Sequence, residues 1–357
     1  VGISQTLLAC GAEKMPLDIL QLLFDRDFTG TFDLTASVEG RLANPRIIAA
    51  AVGQKVSLAG IPFDQISLSV SKQSDRLRFD NCLFRQGKTV SFIDGEIPLT
   101  GRGSFDLRLN LKDNAFGLIN LLTDQVTWRD GRAAVTIEAG GTLNNPRFSG
   151  GIWLNNGRLY VKAIDSEIKK LNGSAELTGQ TLTIPALTGV WQGERTKNYQ
   201  NHLGLSGTID PNNLDLALAP TWIYADFPNL FSGAVNLNSI KLSGPAGGPT
   251  LSGRIELDNA LIALANKPPT AAKGLPLNFD LQVKTRKNVY AAMGDVSALD
   301  LSNILMNLEI STDDLTIAGS LAEPSLDGQV LLKRGMVTIF NREFSLLSVD
   351  SQQAYFP

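Results

Sequence analysis

Hydrophobic and polar residues alternate strictly along much of the chain. Residues 104–111 read Ser-Phe-Asp-Leu-Arg-Leu-Asn-Leu, and the same period of two returns at 32–38, 65–70, 214–218, 253–257 and 277–283. Because successive side chains of a β-strand point to opposite faces, such a segment forms a strand with one apolar and one polar face. The pattern therefore predicts half-buried antiparallel strands and an all-β fold.

The apolar positions of these segments form the candidate functional surface. If the strands share a sheet, their apolar side chains line one face, which we call the groove face. The predicted groove residues are Leu34, Val38, Ile66, Leu68, Val70, Phe105, Leu107, Leu109, Leu111, Leu214, Leu216, Ile255, Leu257, Leu277, Phe279, Leu281 and Val283. This assignment depends on parity within short segments, so one β-bulge would move the residues after it to the other face.

Three short apolar segments interrupt the alternation. They are 16–24, which begins with a Pro, 114–122, which begins with an Asn, and 298–307. Pro suits the first position of a helix and Asn caps helix N-termini, so both starts favour helices. We predict a few short helices that either cover the end of a sheet or fill a core. A membrane-surface helix is less favoured, because none of the three has a basic face.

A motif recurs about one hundred residues apart. Gly-Arg-Leu-Ala-Asn-Pro-Arg-Ile at 40–47 matches Gly-Thr-Leu-Asn-Asn-Pro-Arg-Phe at 141–148, and copies return at 319–326 and, more loosely, at 243–251. Repeats whose strands share one apolar face stack into an array. We predict repeat units at 1–112, 113–219 and 220–318, with a further module that begins in 319–357.

Composition narrows the possible functions. Of the 357 residues, 43% are hydrophobic and 19% are charged, which is too apolar a chain for disorder. The net charge is −3 and no block of like charges occurs, which argues against a nucleic-acid partner. No apolar segment is long enough to span a bilayer as a helix. The chain begins without Met or a signal-like segment, and we interpret it as an internal piece of a longer protein.

Residues suited to catalysis or metal binding are scarce. Cys10, Cys82 and His202 are isolated, and Asp313-Asp314 is best interpreted as a solvated turn. The sequence has no nucleophile elbow, phosphate-binding loop, dinucleotide fingerprint or zinc-ligand spacing. We therefore predict a protein that is not an enzyme and that has no cofactor and no metal.

The repeated motif, followed by a strand and a hairpin, resembles the TamB/AsmA-like superfamily of envelope proteins. Residues 319–344 are the best match and are similar to the C-terminal TamB module. The resemblance implies an elongated antiparallel sheet folded lengthwise into a taco-like groove. It also implies a periplasmic protein whose parent is anchored in the inner membrane by a segment outside this chain. Phospholipids and an outer-membrane barrel protein of the TamA/Omp85 type are the implied partners.

These observations predict a conduit that shields phospholipid acyl chains during transport from the inner to the outer membrane. A scaffold that assists outer-membrane protein assembly with the barrel partner is the alternative, because it also needs a long sheet. A β-solenoid would show a period of roughly 20–25 residues, and the helical interruptions argue against a membrane barrel. An open groove face would favour the conduit, and a face closed by a second sheet would favour the scaffold.

Overall fold

Strands make up nearly all of the described part of the chain, so the all-β prediction is confirmed. The computed structural model describes residues 6–22, 27–41, 44–100, 103–121, 123, 125–142, 144–162, 165–193, 195–227, 230–264, 277–294, 304–321, 323–339, 342–346 and 352–356. The chain divides into two units, Val1–Leu187 (unit 1) and Thr188–Pro357 (unit 2). The predicted repeat boundaries after residues 112, 219 and 318 remain predictions.

Unit 1 is an antiparallel meander with two short 3-10 helices. Its elements are β1 (Thr6–Pro16), η1 (Leu17–Leu22), β2 (Phe28–Arg41), β3 (Asn44–Leu58), β4 (Ile61–Gln73), β5 (Arg76–Gln86), β6 (Thr89–Pro98), β7 (Ser104–Lys112), η2 (Asp113–Leu121), β8 (Val126–Thr142), β9 (Asn145–Val161) and β10 (Ser166–Gly179). From β1 to β10, each strand pairs with the next one along the chain. The strand β11 (Thr181–Gln192) follows.

Unit 2 alternates long strands with pairs of shorter ones. Its elements are β12 (Asn201–Ile209), β13 (Leu214–Leu218), β14 (Thr221–Phe227), β15 (Phe231–Gly244), β16 (Thr250–Ala263), β17 (Asn278–Thr285), β18 (Val289–Gly294), β19 (Ile304–Ser311), β20 (Leu315–Ser320), β21 (Pro324–Ile339), β22 (Arg342–Leu346) and β23 (Gln352–Phe356). For example, the two halves of β15 pair with β13 and β14, and the two halves of β21 pair with β20 and β19.

One part of unit 2 departs from the predicted antiparallel pattern. The strands β17 and β18 both run parallel to β16, whereas β15 pairs with β16 in the antiparallel sense. A parallel partner needs a crossover connection, and that connection lies in residues 265–276, outside the described residues. Alternation alone carries no information about strand direction, so the sequence pattern did not indicate this pairing.

The repeated motif is the same hairpin at three places. Gly40, Gly141 and Gly319 lie near the ends of β2, β8 and β20, with φ angles of 83°, 87° and 86°. Each is paired with the Pro of its motif, at positions 45, 146 and 324. Glycine adopts this left-handed conformation without steric cost, which explains why the motif keeps a Gly there. The repeat in the sequence is therefore a repeat in backbone structure.

The predicted helices have mixed outcomes. The segments 16–24 and 114–122 correspond to η1 and η2, although both are 3-10 helices and Pro16 belongs to β1. In the third candidate, 298–307, residues 304–307 lie in β19, so a helix there is wrong, and residues 298–303 are outside the described residues.

Candidate functional site: the groove face

Strand registers place the predicted groove residues of β2 to β4 on a common face. Leu34 lies opposite Ala51, and Ala51 lies opposite Leu68. Partners across a ladder point to the same side of the sheet, so the three side chains form one row. Ile66 and Val70 lie two residues before and after Leu68, and therefore extend the same surface.

Three further rows carry the groove face across the rest of unit 1. They are Phe79–Gly95–Leu107–Ala139–Phe148, Cys82–Ile93–Leu109–Ile137 and Leu111–Val135–Ile152–Ala175. Each row contains only apolar side chains or Gly. With strands about 4.8 Å apart, a row from β5 to β9 covers about 19 Å. The groove face of unit 1 is therefore continuous across these strands.

The opposite face of unit 1 carries charges of alternating sign in its central strands. Asp94 lies opposite Arg108, and Arg108 lies opposite Glu138. Arg76 and Glu96 form an ion pair with a 2.5 Å N–O distance. Opposite charges on neighbouring strands stabilise the pairing modestly and keep this face in water. We call it the outer face.

The sheet of unit 1 is strongly curled, with the groove face inside. A Cβ atom placed on Gly117 in η2 would overlap the side chain of Ile61 in β4 and would lie 3.3 Å from Cδ1 of Trp128 in β8. In a flat sheet β4 and β8 would be about 19 Å apart, because four strand spacings separate them. Their side chains meet at one helix residue only because the sheet bends around η2.

The helix η2 is fixed in this position by aromatic packing. Phe116 meets the indole of Trp128 edge to face, with ring centroids 4.9 Å apart. Trp128 is 1% exposed and also packs over Gly157 of β9, where a Cβ would lie 2.5 Å from the indole ring. Edge-to-face pairs add about 0.5–1.5 kcal/mol beyond simple burial. The apolar 114–122 segment therefore packs against the inner face of the sheet, as core filler.

An apolar cavity lies on the groove face of unit 1, next to both helices. Its volume is about 370 Å³, and it is partly open. The lining residues, all apolar, are Leu17, Phe28, Phe32, Ala51, Gly53, Val56, Leu58, Ile66, Leu68 and Leu121. Sites for small apolar ligands have this character, a concave surface with few polar groups.

The structure sorts the predicted groove residues of unit 1 into three groups. Ile66 and Leu68 line the cavity. Val70, Leu109 and Leu111 belong to the apolar cluster that continues from it. The remaining four lie elsewhere on the same face, and they are Leu34, Val38, Phe105 and Leu107.

Most of the residues that line the cavity were missed by the alternation rule. Gly53 and Val56 are three positions apart, yet both face the cavity, because a bulge with Lys55 at a φ of 53° shifts the register. An apolar spacing that changes from two to three residues is a signal of such a bulge. Leu17 and Leu121 lie in η1 and η2, where a strand rule does not apply.

Unit 2 has a groove face of the same kind. Two of its rows are Leu216–Leu242–Leu251–Phe279 and Leu237–Ile255–Val283–Leu315, and a third is Leu281–Ile317–Leu326. Leu326 in the third row is 43% exposed. The groove face of unit 2 is thus partly open to solvent at β21.

The predicted groove residues of unit 2 differ in burial. Leu257, Leu281 and Val283 are buried, whereas Ile255, Phe279, Leu214 and Leu216 are half-buried. Leu214 shares the face of Leu216, two residues away. Leu277 is half-buried and precedes β17, so the strand registers do not assign it to a face. The outer face across the same strands carries Asn236, Glu256 and Lys284.

Titratable groups with altered pKa values serve structural roles. Burial, the largest cause, raises the pKa of the Cys82 thiol, which also donates a hydrogen bond to the Ser69 carbonyl at 3.5 Å. A hydrogen bond to Glu309 raises the pKa of Arg334, and the two side chains are 2.6 Å apart. His202 is exposed, and Asp313 pairs with Lys284 at 3.1 Å on the surface.

Within the ranges that the structure describes, no group of acidic, His and Cys residues is arranged to hold a metal ion. In the same ranges, no helix has both the length and the apolar character to cross a membrane.

Residues 192–348 match the family model of the TamB C-terminal domain. This match supports a TamB-type family for the chain. Comparisons with curated proteins and with solved structures gave no match.

The TamB match covers β12 to β22 of unit 2 and includes residues 319–344, where the resemblance in sequence is best. TamB proteins form a non-enzymatic transport and assembly module of the cell envelope, which works with an outer-membrane partner. At the family level, the match supports a role for the chain in that system.

Proposed function

We propose that this chain is part of a lipid conduit, in which the groove face shields phospholipid acyl chains on their way from the inner to the outer membrane. The observation that carries the proposal is the continuous apolar face of unit 1 together with its 370 Å³ apolar cavity. Hydrophobic attraction is non-directional and scales with area, so such a surface can hold an acyl chain without a tight site.

The energetics of lipid transfer explain why a conduit needs this surface. Two acyl chains contain about thirty methylenes, and each is worth ~0.8 kcal/mol on burial. A phospholipid that crossed water alone would therefore lose on the order of 24 kcal/mol of stabilisation. An apolar groove removes most of that loss at every step, and the polar outer face keeps the protein in solution.

The TamB family match supports a proposal for location and partners. We infer that the chain lies in the periplasm, that its parent is anchored in the inner membrane outside this segment, and that an outer-membrane barrel of the TamA type receives the lipid. Family membership and the amphipathic sheet support this arrangement. A role in outer-membrane protein assembly would use the same partner but does not require an apolar cavity.

The exposed apolar residues of the groove face favour transport over a passive scaffold. Leu8 lies opposite Val38 on this face and is 62% exposed, and Leu326 is 43% exposed. A sheet that served only as a spacer would gain stability from covering these side chains. An open face is what a lipid in transit needs.

Site-specific photocrosslinking in cells tests the proposal. A photoreactive amino acid at Leu107 or Leu34 reports on the groove face, and the same probe at Arg108 or Asp33 reports on the outer face one residue away. We expect lipid adducts, identified by mass spectrometry, to be at least about fivefold more abundant at the two groove positions. Equal capture on both faces would rule out the conduit. Barrel-partner adducts without lipid adducts would favour the scaffold.

A further inference from the structure

We propose that the cavity of unit 1 holds a single acyl chain of about fifteen carbons, so that this part of the groove accepts lipids one chain at a time. The inference rests on the proposed function and adds a chain number and a chain length to it. Three features of the cavity support it, which are the two helices that border the cavity, its volume and its apolar lining.

The cavity is bordered by the sheet on one side and by the two helices on the other. Phe32, Ala51 and Leu68 from the sheet form its floor, and Leu17 of η1 and Leu121 of η2 reach it from the helices. Away from the helices, the groove face is more open, as at Ile47, which is 37% exposed. The helices therefore create the narrow section of this face.

The volume matches one acyl chain. An apolar cavity of about 150 Å³ holds one benzene molecule, which corresponds to roughly 25 Å³ per carbon. At that value, a cavity of about 370 Å³ accommodates roughly fifteen carbons. Two chains would need about twice the space. A two-chain lipid would thus insert one chain and leave the other on the open part of the groove face.

The lining places the polar head group outside. Every lining residue is apolar, so a charged group within the cavity would lose its hydration without gaining a partner. The chemical class of ligand is therefore a single alkyl chain with its polar end at the opening. Affinity should rise about fourfold with each added methylene until the cavity is full, and should change little beyond that length.

A chain-length series tests this with the 357-residue chain after delipidation. Lysophosphatidylcholines with chains of 10 to 18 carbons, below their micelle concentrations, compete with a fluorescent fatty acid. We expect affinity to rise up to 14–16 carbons and then level off. Ala51→Leu adds three carbons to the lining and should shorten the limit by about three carbons. Leu68→Ala removes three carbons and should lengthen it by about three.

Ala49→Leu is the matched control, because Ala49 lies two residues from Ala51 on the same face of β3 but does not line the cavity. Its limit should equal that of the unmodified chain. An affinity that rises without a break through 18 carbons and does not respond to either cavity variant would overturn the single-chain site and leave the groove proposal intact. Failure of every lipid to bind would overturn both proposals. The two cavity variants should change the chain-length limit in opposite directions. If one of them fails to fold, the other still tests the single-chain site.

Discussion

The side-chain amide of Asn120 pairs with the backbone of Trp128 like a segment of strand. Asn120 Oδ1 accepts a hydrogen bond from the Trp128 N–H at 2.7 Å, and Asn120 Nδ2 donates one to the Trp128 carbonyl at 3.0 Å. Asn120 is 5% exposed and lies near the C-terminal end of η2. Trp128 is the third residue of β8. These two bonds attach the helix to the sheet that it covers.

Asn120→Ala should destabilise unit 1. The substitution leaves the N–H and the carbonyl of Trp128 buried without these partners, so we expect the free energy of unfolding to fall by about 2–3 kcal/mol. Urea denaturation measures this change. Asn110→Ala is the control, since Asn110 bonds to Thr136 on the outer face at 3.3 Å, and we expect a loss below about 1 kcal/mol. Similar losses in the two variants would contradict the role given to Asn120.

Gly117→Ala should push η2 away from the sheet. The added methyl group overlaps Ile61, and overpacking of this kind costs about 1–3 kcal/mol. Ile61→Ala makes room for it, so the double variant should be more stable than the sum of the single changes predicts, by at least about 1 kcal/mol. Strictly additive changes in a urea denaturation cycle would contradict the contact. At Gly247, which has open space around it, an Ala should change stability by less than about 0.5 kcal/mol.

The two cysteines should differ sharply in reactivity. Cys10 is exposed and Cys82 is buried, and burial raises the pKa of Cys82 above its ordinary value of 9.0. Less thiolate is then present at a given pH, and the thiol is inaccessible, so at pH 8 we expect maleimide to modify Cys10 at least about 100-fold faster. Mass spectrometry after timed quenching measures both rates.

The same pKa shift has a consequence for stability. A thiol whose pKa is raised by folding stabilises the folded state fully below its unfolded pKa, and this contribution is lost as the pH rises through the folded value. Unfolding curves between pH 7 and 10 should therefore show a steeper loss of stability above about pH 9 for the unmodified chain than for Cys82→Ala. Identical pH profiles would contradict this expectation.

A charge on the groove face should block lipid binding without unfolding the sheet. Leu107 is half-buried and lies between Gly95 and Ala139, so an Asp side chain fits there. Leu107→Asp should reduce the lipid that copurifies with the chain by at least about threefold, because acyl chains avoid a carboxylate. Arg108→Asp, one residue away on the outer face, should leave the lipid content unchanged. Lipid extraction and mass spectrometry compare the two variants.

Alternation in the sequence was sufficient to predict the strands. It worked because a half-buried strand has a fixed period of two. The bulges could also have been located from sequence. In β5 the groove-face positions Phe79 and Cys82 are three residues apart, and Asn81 between them has a φ of 52°. A spacing of three residues with an Asn or Lys inside it marks the extra residue of a β-bulge.

The cavity and the parallel strands could not be predicted in this way. The cavity needs residues from η1, η2 and three strands, and these meet only because the sheet curls. Curvature depends on bulges and on packing between residues distant in sequence, such as Gly117 and Ile61, which local pattern does not encode. Likewise, the parallel direction of β17 is decided by where the chain re-enters the sheet.

The meander of unit 1 has a consequence for how such a protein is made. Each strand from β2 to β10 forms hydrogen bonds with the strand that immediately precedes it in the sequence. A chain that emerges in an extended state, N-terminus first, can therefore form one hairpin at a time with little loop-closure entropy to overcome. Edge strands stay exposed only until the next segment arrives, which limits the period when aggregation threatens.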